Sequence, residues 1–380
     1  MKYLVLLLMS FLLLNIQAYS QGCSDAGVCS IGSLGLAQYK YEKLPSDKVT
    51  LELMETEDTE IYTKDFDPTQ SKRDTLIAVD TPPKDTLAKK IDTTEPISYN
   101  IDSLKQNSHL LKGNAFKSPK FILNYAVSYG VGDNETAVIT NQLEGNYRII
   151  NKKLYAQLKL PYVHVSGNLG RTNGLGDLTL SLSYIALHKK NTQLTFVGGT
   201  KIATHASDLS NNNRSLPMIY QTSLGSNDLL LGANLRVDKW DLSLAYQHSF
   251  NANQNGYLHD ALLGDDPYNT YFESNLIKRA DDGVFRLNRS FLINKLTLTS
   301  GVLLIYHLQN DEYTNALGNR VVSKGSQGLT VNLNLAAITP LYKKVDFTFI
   351  VAAPVVTRDA RPDGLTREYI VQGGLKYNFY

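Results

Sequence analysis

Beyond Leu14 the chain has no apolar run approaching twenty residues, so nothing after that point can cross a bilayer as a helix. Cysteine is nearly absent, with only Cys23 and Cys29, which excludes a disulfide-stapled body. Excess charge is missing too: 38 lysines and arginines face 36 aspartates and glutamates, which removes the electrostatic case for a nucleic-acid partner. Tryptophan occurs once, yet tyrosine occurs 23 times. Amphipathic rings in that number suit the boundary between water and lipid. The mean hydropathy is mildly negative, which disfavours a helical membrane protein but is expected of a barrel whose inward residues are polar.

What is present is a two-residue rhythm. Its clearest stretch runs from Gly174-Leu175-Gly176-Asp177 into Leu178-Thr179-Leu180-Ser181-Leu182-Ser183-Tyr184. One face carries Leu178, Leu180, Leu182 and Tyr184, and the other Asp177, Thr179, Ser181 and Ser183. A period of two over that length describes a strand with one face in an apolar medium and one in water. The pattern recurs to the last residue, and its solution is an all-β fold, a closed antiparallel transmembrane β-barrel.

The N-terminal third differs. Met1-Lys2 followed by an apolar core from Tyr3 to Leu14, with the small residues Ala18-Tyr19-Ser20, predicts a secretory signal over 1–20 cut before Gln21. Residues 21–44 are glycine-containing and moderately apolar, too short to fold alone, and suited to a plug or appendage on a larger body. Cys23 and Cys29 allow a small disulfide loop, free thiols or part of a soft-metal site; lipid on Cys23 would need the apolar residue that Ser20-Gln21-Gly22 lacks. Asp-Thr pairs at 74–75, 80–81, 85–86 and 92–93, with Pro82-Pro83 and Pro96 among them, predict a disordered periplasmic linker over 45–118.

From Pro119 the alternation begins, and 119–380 is the predicted outer-membrane barrel. Phe121, Leu123, Tyr125, Val127 and Tyr129 open it, and the same style returns in segments up to 366–380, thirteen in all. Bacterial barrels have an even strand number, short periplasmic turns and long outer loops. Short turns fall at 151–153, 188–192, 238–239, 294–295 and 341–344, each with a lysine. Long connections fall at 131–136, 165–176, 204–226, 251–282, 309–326 and 357–365. The two alternate only if Leu216 to Leu224 is not a membrane strand, so it belongs to the third outer loop and about twelve strands remain.

The register points Glu144, Arg148, Lys159, Asp177, Lys201 and Arg236 inward. Glu144, Arg148, Asp177, Lys201 and Arg236 are the candidate lumen and solute-lining residues. They form either a selectivity ladder or an interior salt-bridge network, and Asp177 after Gly-x-Gly serves either as a solute contact or as a turn cap paired with a cation. Leu242, Leu244, Leu296, Leu298, Phe347, Phe349 and Val351 face lipid. Twelve strands leave a narrow conduit or a plugged lumen rather than a porin-sized pore.

Gly174-Leu175-Gly176-Asp177-Leu178 leading to Tyr184, then Leu216-Pro217 with Gln221, Gly225 and Asp228, resembles the outer-membrane barrels of the phenol-degradation meta-pathway type. These are similar in turn to the long-chain fatty-acid transporter class. The likeness spans 119–380 and implies movement of small apolar or aromatic compounds; the larger class implies that 21–44 is a gate. The Cys-bearing start resembles secreted barrels of Bacteroidetes-like bacteria. The final Leu375-Lys376-Tyr377-Asn378-Phe379-Tyr380 resembles the terminal strand read by barrel assembly machinery, although its outward register ends at Phe379.

The expected function is therefore a channel or transporter for a small hydrophobic solute, partnered by outer-membrane lipid and the assembly machinery, without chemistry, cofactor or metal. A second reading makes the barrel an anchor whose outer loops, notably 251–282 with Asp265-Asp266 and Tyr268, bind a partner or surface glycan. A hydrolase is the third. His205-Ala206-Ser207 sets histidine and serine on one strand face, but inward or in a loop, and outward His248 has Phe250 rather than serine two positions on.

Overall fold

The computed structural model describes residues 119–150, 153–189 and 191–380, together with the two-residue strand Ser20–Gln21. The rest of the predicted signal, the Cys23–Cys29 pair and the 45–118 linker lie outside the described residues. Twelve antiparallel strands close into a barrel: β1 Phe121–Gly132, β2 Thr136–Ile150, β3 Leu154–Gly167, β4 in two pieces at Gly170–Leu175 and Leu178–Lys189, β5 Thr192–Ile202, β6 Asp228–Val237, β7 Trp240–Ser249, β8 Asp282–Ile293, β9 Leu296–His307, β10 Gly328–Tyr342, β11 Val345–Val356 and β12 Tyr369–Phe379. Each pairs with the next, and β12 returns to β1 with Phe379 opposite Phe121. No open edge is left, as hydrocarbon requires.

Alternation explains which side faces what. Leu182 is 51% exposed and its neighbour Ser183 only 2%. On β7, Leu244 is 55% exposed and Ser243 5%. Each such outward leucine contributes roughly 2 kcal/mol when lipid replaces water around it. Aromatic rings mark both ends of the band. Tyr129 and Tyr369 pack at 6.2 Å on one. Phe121, Tyr377 and Phe379 stack on the other, where Arg289 lies over Trp240 and Phe291.

At the end holding the chain's C-terminus the connections are tight. Asp238 and Asn294 adopt left-handed φ of 50° and 54° in two-residue turns, a conformation that short polar side chains tolerate. At the opposite mouth two connections are shorter than the sequence predicts. β1 and β2 are joined by a single turn at Asp133–Glu135, not 131–136. β3 and β4 are joined by Asn168-Leu169 alone, where a loop over 165–176 was expected. Both faces of Gly170–Leu175 lack the apolar alternation of a lipid-embedded strand, so sequence pattern could not reveal that the ladder to β3 continues there. The long loops are 203–227, 250–281, 308–327 and 357–368.

Candidate functional site at the outer mouth

The glycine motif of β4 builds the first part of the site. Gly176, Asp177 and Leu178 face only Leu160 and Pro161 on β3, because Leu175 pairs with Tyr162 and Thr179 with Lys159. This bulge turns Asp177 inward. A Cβ on Gly176 would come within 2.8 Å of the Pro161 ring and 3.1 Å of the Thr222 carbonyl, which explains the glycine.

Asp177 reaches the 203–227 loop. Its carboxylate accepts the Ser223 hydroxyl at 2.5 Å and the Leu224 amide at 3.0 Å, and pairs with Lys201 at 3.4 Å. Leu216 to Leu224, read from sequence as an outer-loop segment, is buried throughout. It folds into the mouth around a short 3-10 turn at Met218–Tyr220. Across it, Gly364 holds a φ of +65°, and a Cβ there would lie 2.4 Å from the Ile219 nitrogen.

Tyrosines fix the segment to the wall. Tyr220, Tyr257, Tyr268 and Tyr271 form one buried cluster with Leu216, Ile219 and the inward Val138, Val163 and Val165 of β2 and β3. Tyr220 and Tyr271 both donate to the Asn168 side-chain oxygen Oδ1, at 3.1 and 2.5 Å, and meet edge to face at 5.7 Å. The Leu169 amide donates to Tyr220 in turn. Burial pushes the Tyr257 and Tyr271 hydroxyls well above the ordinary tyrosine pKa. Tyr268 therefore lies inside the cap and not on a partner-binding surface; its hydroxyl donates to the Ser215 carbonyl. Asp266 caps the following turn by accepting the Tyr268 amide.

The opposite side of the mouth is held by charge. Arg279 bridges Asp228 at 3.2 Å and Asp282 at 3.4 Å. His307 stands between Asp282 at 2.6 Å and Asp311 at 2.7 Å, one carboxylate on each ring nitrogen. Arg358 continues the chain to Asp311 at 3.8 Å and Asp363 at 2.8 Å. All seven residues are buried. Burial alone would raise the Asp363 pKa, but Arg358, then Arg279 and His307, hold it below the usual carboxylate range. Nothing in the sequence announced this chain, whose members are spread over 136 positions from Asp228 to Asp363 without a spacing rule. Asp228, Asp282 and His307 lie at strand ends, and Arg279, Asp311, Arg358 and Asp363 lie on loops.

The predicted wall charges fall at two levels. Asn124, Glu144, Lys159, Thr179, Lys201 and Asp228 are successive partners across six strands, so Glu144 and Lys201 share one row with Asp177 beside it. Glu144 accepts from Asn146 at 2.9 Å and Gln157 at 2.7 Å. Arg236 pairs with Asp241 at 3.1 Å next to the Val237–Trp240 turn, and Arg148 opposes Tyr155 near the same end. The structure thus brings Asp177 and Lys201 together and leaves Arg148 and Arg236 at the far end of the lumen. Part of the wall is apolar: Val197, Leu230, Val284, Leu303 and Ile305, with Ala245, form one inward patch over β5 to β9.

His205 and Ser207 are not on a strand, since β5 ends at Ile202. Ser207 has a φ of 61° and its hydroxyl donates to the Ala206 carbonyl, so the pair makes no nucleophile–base contact. His248 faces Asp281 at 2.8 Å and the edge of Phe250.

No protein-family profile and no curated protein matches the chain. Among solved structures, the chain is similar to the COG4313 outer membrane channel from Pseudomonas putida F1. The two are 16% identical, the match covers 70% of this chain and 98% of that one, and the TM-score is 0.46. The NanC porin matches at 10% identity over 68% and 99%, with a TM-score of 0.40. The KdgM porin matches at 9% identity over 68% and 99%, with a TM-score of 0.37. By their own descriptions the first is an outer membrane channel and the other two are porins, and the likeness is one of fold.

Proposed function

We propose that the chain is an outer-membrane conduit for small apolar or aromatic solutes, closed at its outer end by its own loops. The observation that carries this reading is the 216–224 segment, an apolar stretch folded into the barrel mouth and tethered to the wall at Asp177. A barrel serving only as an anchor has no need to bring a loop back into its lumen. The inward patch of Val197, Leu230, Val284, Leu303 and Ile305 supports an apolar cargo, because a purely hydrophilic pore gains nothing from it. The short connections and both ends of the sheet lie on one side, which supports a periplasmic N-terminal region by the ordinary topology of such barrels.

Asp177→Asn tests the reading. Each lost charge-assisted hydrogen bond costs about 1.5–3 kcal/mol, so the balance between seated and released segment moves by roughly one to two orders of magnitude. Single-channel recording of the reconstituted full-length protein should show a higher open probability in the variant. If wild type and Asp177→Asn are equally silent, the conduit is refuted.

The anchor reading keeps one observation in its favour. Leu262 and Leu317, at the tips of the 250–281 and 308–327 loops, are 95% and 84% exposed. Apolar tips of that kind suit a partner.

A further inference from the structure

We propose that the rim of short turns is a docking surface for anionic phospholipid headgroups. This goes beyond the conduit reading and takes from it only the periplasmic placement of that rim. The end of the barrel that holds the C-terminus has six stations, the five hairpin turns and the start of β1, each two strands from the next. Lysine stands at every one: Lys120, Lys153, Lys189, Lys239, Lys295, and the pair Lys343 and Lys344. All seven are exposed, and among the described residues none has an ion-pair partner. Asp238 is the one acidic side chain described in these turns, so the rim is cationic all the way round. The outer mouth offers no such surface. There the exposed Glu312 and Asp359 accompany Arg320 and Lys324, and Arg279 and Arg358 are buried in ion pairs.

Depth decides between a membrane and a soluble acidic partner. Lys120 precedes Phe121 and Lys239 precedes Trp240, so the lysines stand beside the aromatic band that marks the membrane boundary. Exposed Ile150, Leu187, Ile293 and Leu341 flank the other turns. A lysine in that setting lays its stem along apolar surface and holds its charge at headgroup depth. A soluble partner gains nothing from these flanks. Lys120 also lies 5.8 Å from the centre of the Tyr147 ring, the same pairing of cation and interfacial aromatic.

Spacing keeps the cations from opposing one another. Alternate strands are about 10 Å apart, beyond the Debye length of about 8 Å at physiological salt, so each lysine attracts lipid almost independently. Each should enrich an anionic over a zwitterionic headgroup roughly fivefold in its neighbourhood.

Trp240, the single tryptophan of the chain, reads the lipid at this rim, with Lys239 before it and Arg289 5.0 Å from its ring. Full-length protein is reconstituted in phosphatidylcholine, and brominated phosphatidylglycerol or brominated phosphatidylcholine is added to quench its fluorescence. Brominated phosphatidylglycerol should reach half-quenching at about a fivefold lower fraction of the bilayer. The preference should nearly vanish in about 1 M salt, where the Debye length shrinks to about 3 Å. Lys239→Gln with Lys295→Gln should cut it severalfold, whereas Lys239→Arg with Lys295→Arg should keep it. Retained heat-shifted gel mobility checks that each variant is a closed barrel. The proposal is overturned if the two lipids quench alike at low salt, if the preference survives the double glutamine variant, or if Arg289→Gln alone removes it, which would reduce the surface to one arginine. Equal quenching together with saturable binding of soluble polyglutamate would make the partner an acidic protein and likewise sink the lipid assignment. A failed preference leaves the periplasmic placement and the conduit untouched, because both leaflets of the reconstituted bilayer carry the same lipids.

Discussion

Replacing Arg279 by methionine is the most direct test of how the outer loops are held. Arg279 links Asp228 at the start of β6 to Asp282 at the start of β8 in the buried ionic chain, through contacts of 3.2 and 3.4 Å. Methionine fills similar volume, so the loss is electrostatic. Removing one member of a buried pair costs about 3–5 kcal/mol because a carboxylate is left in low dielectric without its cation. Desolvation opposes the charged guanidinium, yet Asp228 and Asp282 raise its pKa above the ordinary arginine value, so attraction exceeds the burial penalty at this site. The penalty falls on the loops and not on barrel closure, since the strand ladders contain no Arg279 contact. Amide exchange followed by mass spectrometry reads it. The Lys278 amide bonds to the Glu312 carbonyl at 2.8 Å, and the Ala280 amide to Asp311 at 2.9 Å. Their protection should fall by between about a hundredfold and a few thousandfold, or to the loop's full opening energy if that is smaller. Amides between β12 and β1 should not change. Adding Asp228→Asn should recover part of the loss, because the orphaned charge is then gone. Unchanged exchange in the single variant, or loss spread evenly through the barrel, would refute the reasoning.

Two other predictions follow from the titrating groups of the cap. Asp363 has a folded pKa below its unfolded value, so its contribution to loop docking is full above an unfolded pKa of about 4 and fades as pH falls through and below it. Acid should therefore raise exchange in the 357–368 loop first, and an Asp363→Asn variant should lose most of that pH dependence. In the spectrophotometric titration of tyrosine, Tyr257 and Tyr271 should ionise only when the cap unfolds, because burial disfavours their phenolates. Tyr313, whose hydroxyl bonds Glu273, is pushed up to about 12 and should titrate near that pH in the intact protein.

The barrel was legible because its two sides impose opposite demands on adjacent residues. Ser181 and Ser183 sit in the lumen while Leu180 and Leu182 face outward, and the closed barrel carries that rhythm through to Phe379. The same alternation accounts for the burial of Asp177 and Lys201, which pair at 3.4 Å. What alternation cannot encode is how loops cross the mouth. Tyr257, Tyr268 and Tyr271 lie in a loop rich in asparagine and aspartate, so composition favoured a solvated surface, whereas each ring is buried against the wall. One signal was present nonetheless. Leu216 to Leu224 was apolar enough to compete as a strand, and topology alone removed it from the membrane. An apolar stretch excluded from lipid must bury itself elsewhere, and the nearest unfilled volume at that point in the chain is the barrel mouth.

The two sides of the cap answer to different physics, which gives the closure a handle that a uniform plug would lack. Tyr220 and Tyr271 seat the inserted segment by area and by hydrogen bonds to Asn168, contributions that salt and mild acid leave almost untouched. The chain from Asp228 to Asp363 depends on charge, and acid removes it one carboxylate at a time. Asp177 belongs to the first side by position and to the second by chemistry, because it holds Ser223 and Leu224 of the inserted segment while paired with Lys201. Asn at 177 keeps the shape and loses the charge. It should therefore release the segment without disturbing the tyrosine cluster beyond it, whereas Tyr220→Phe should loosen the cluster and leave the Asp177 tether in place. If the two variants alter exchange over the same residues by the same amount, the mouth is one cooperative body and the division drawn here between aromatic and ionic halves is wrong.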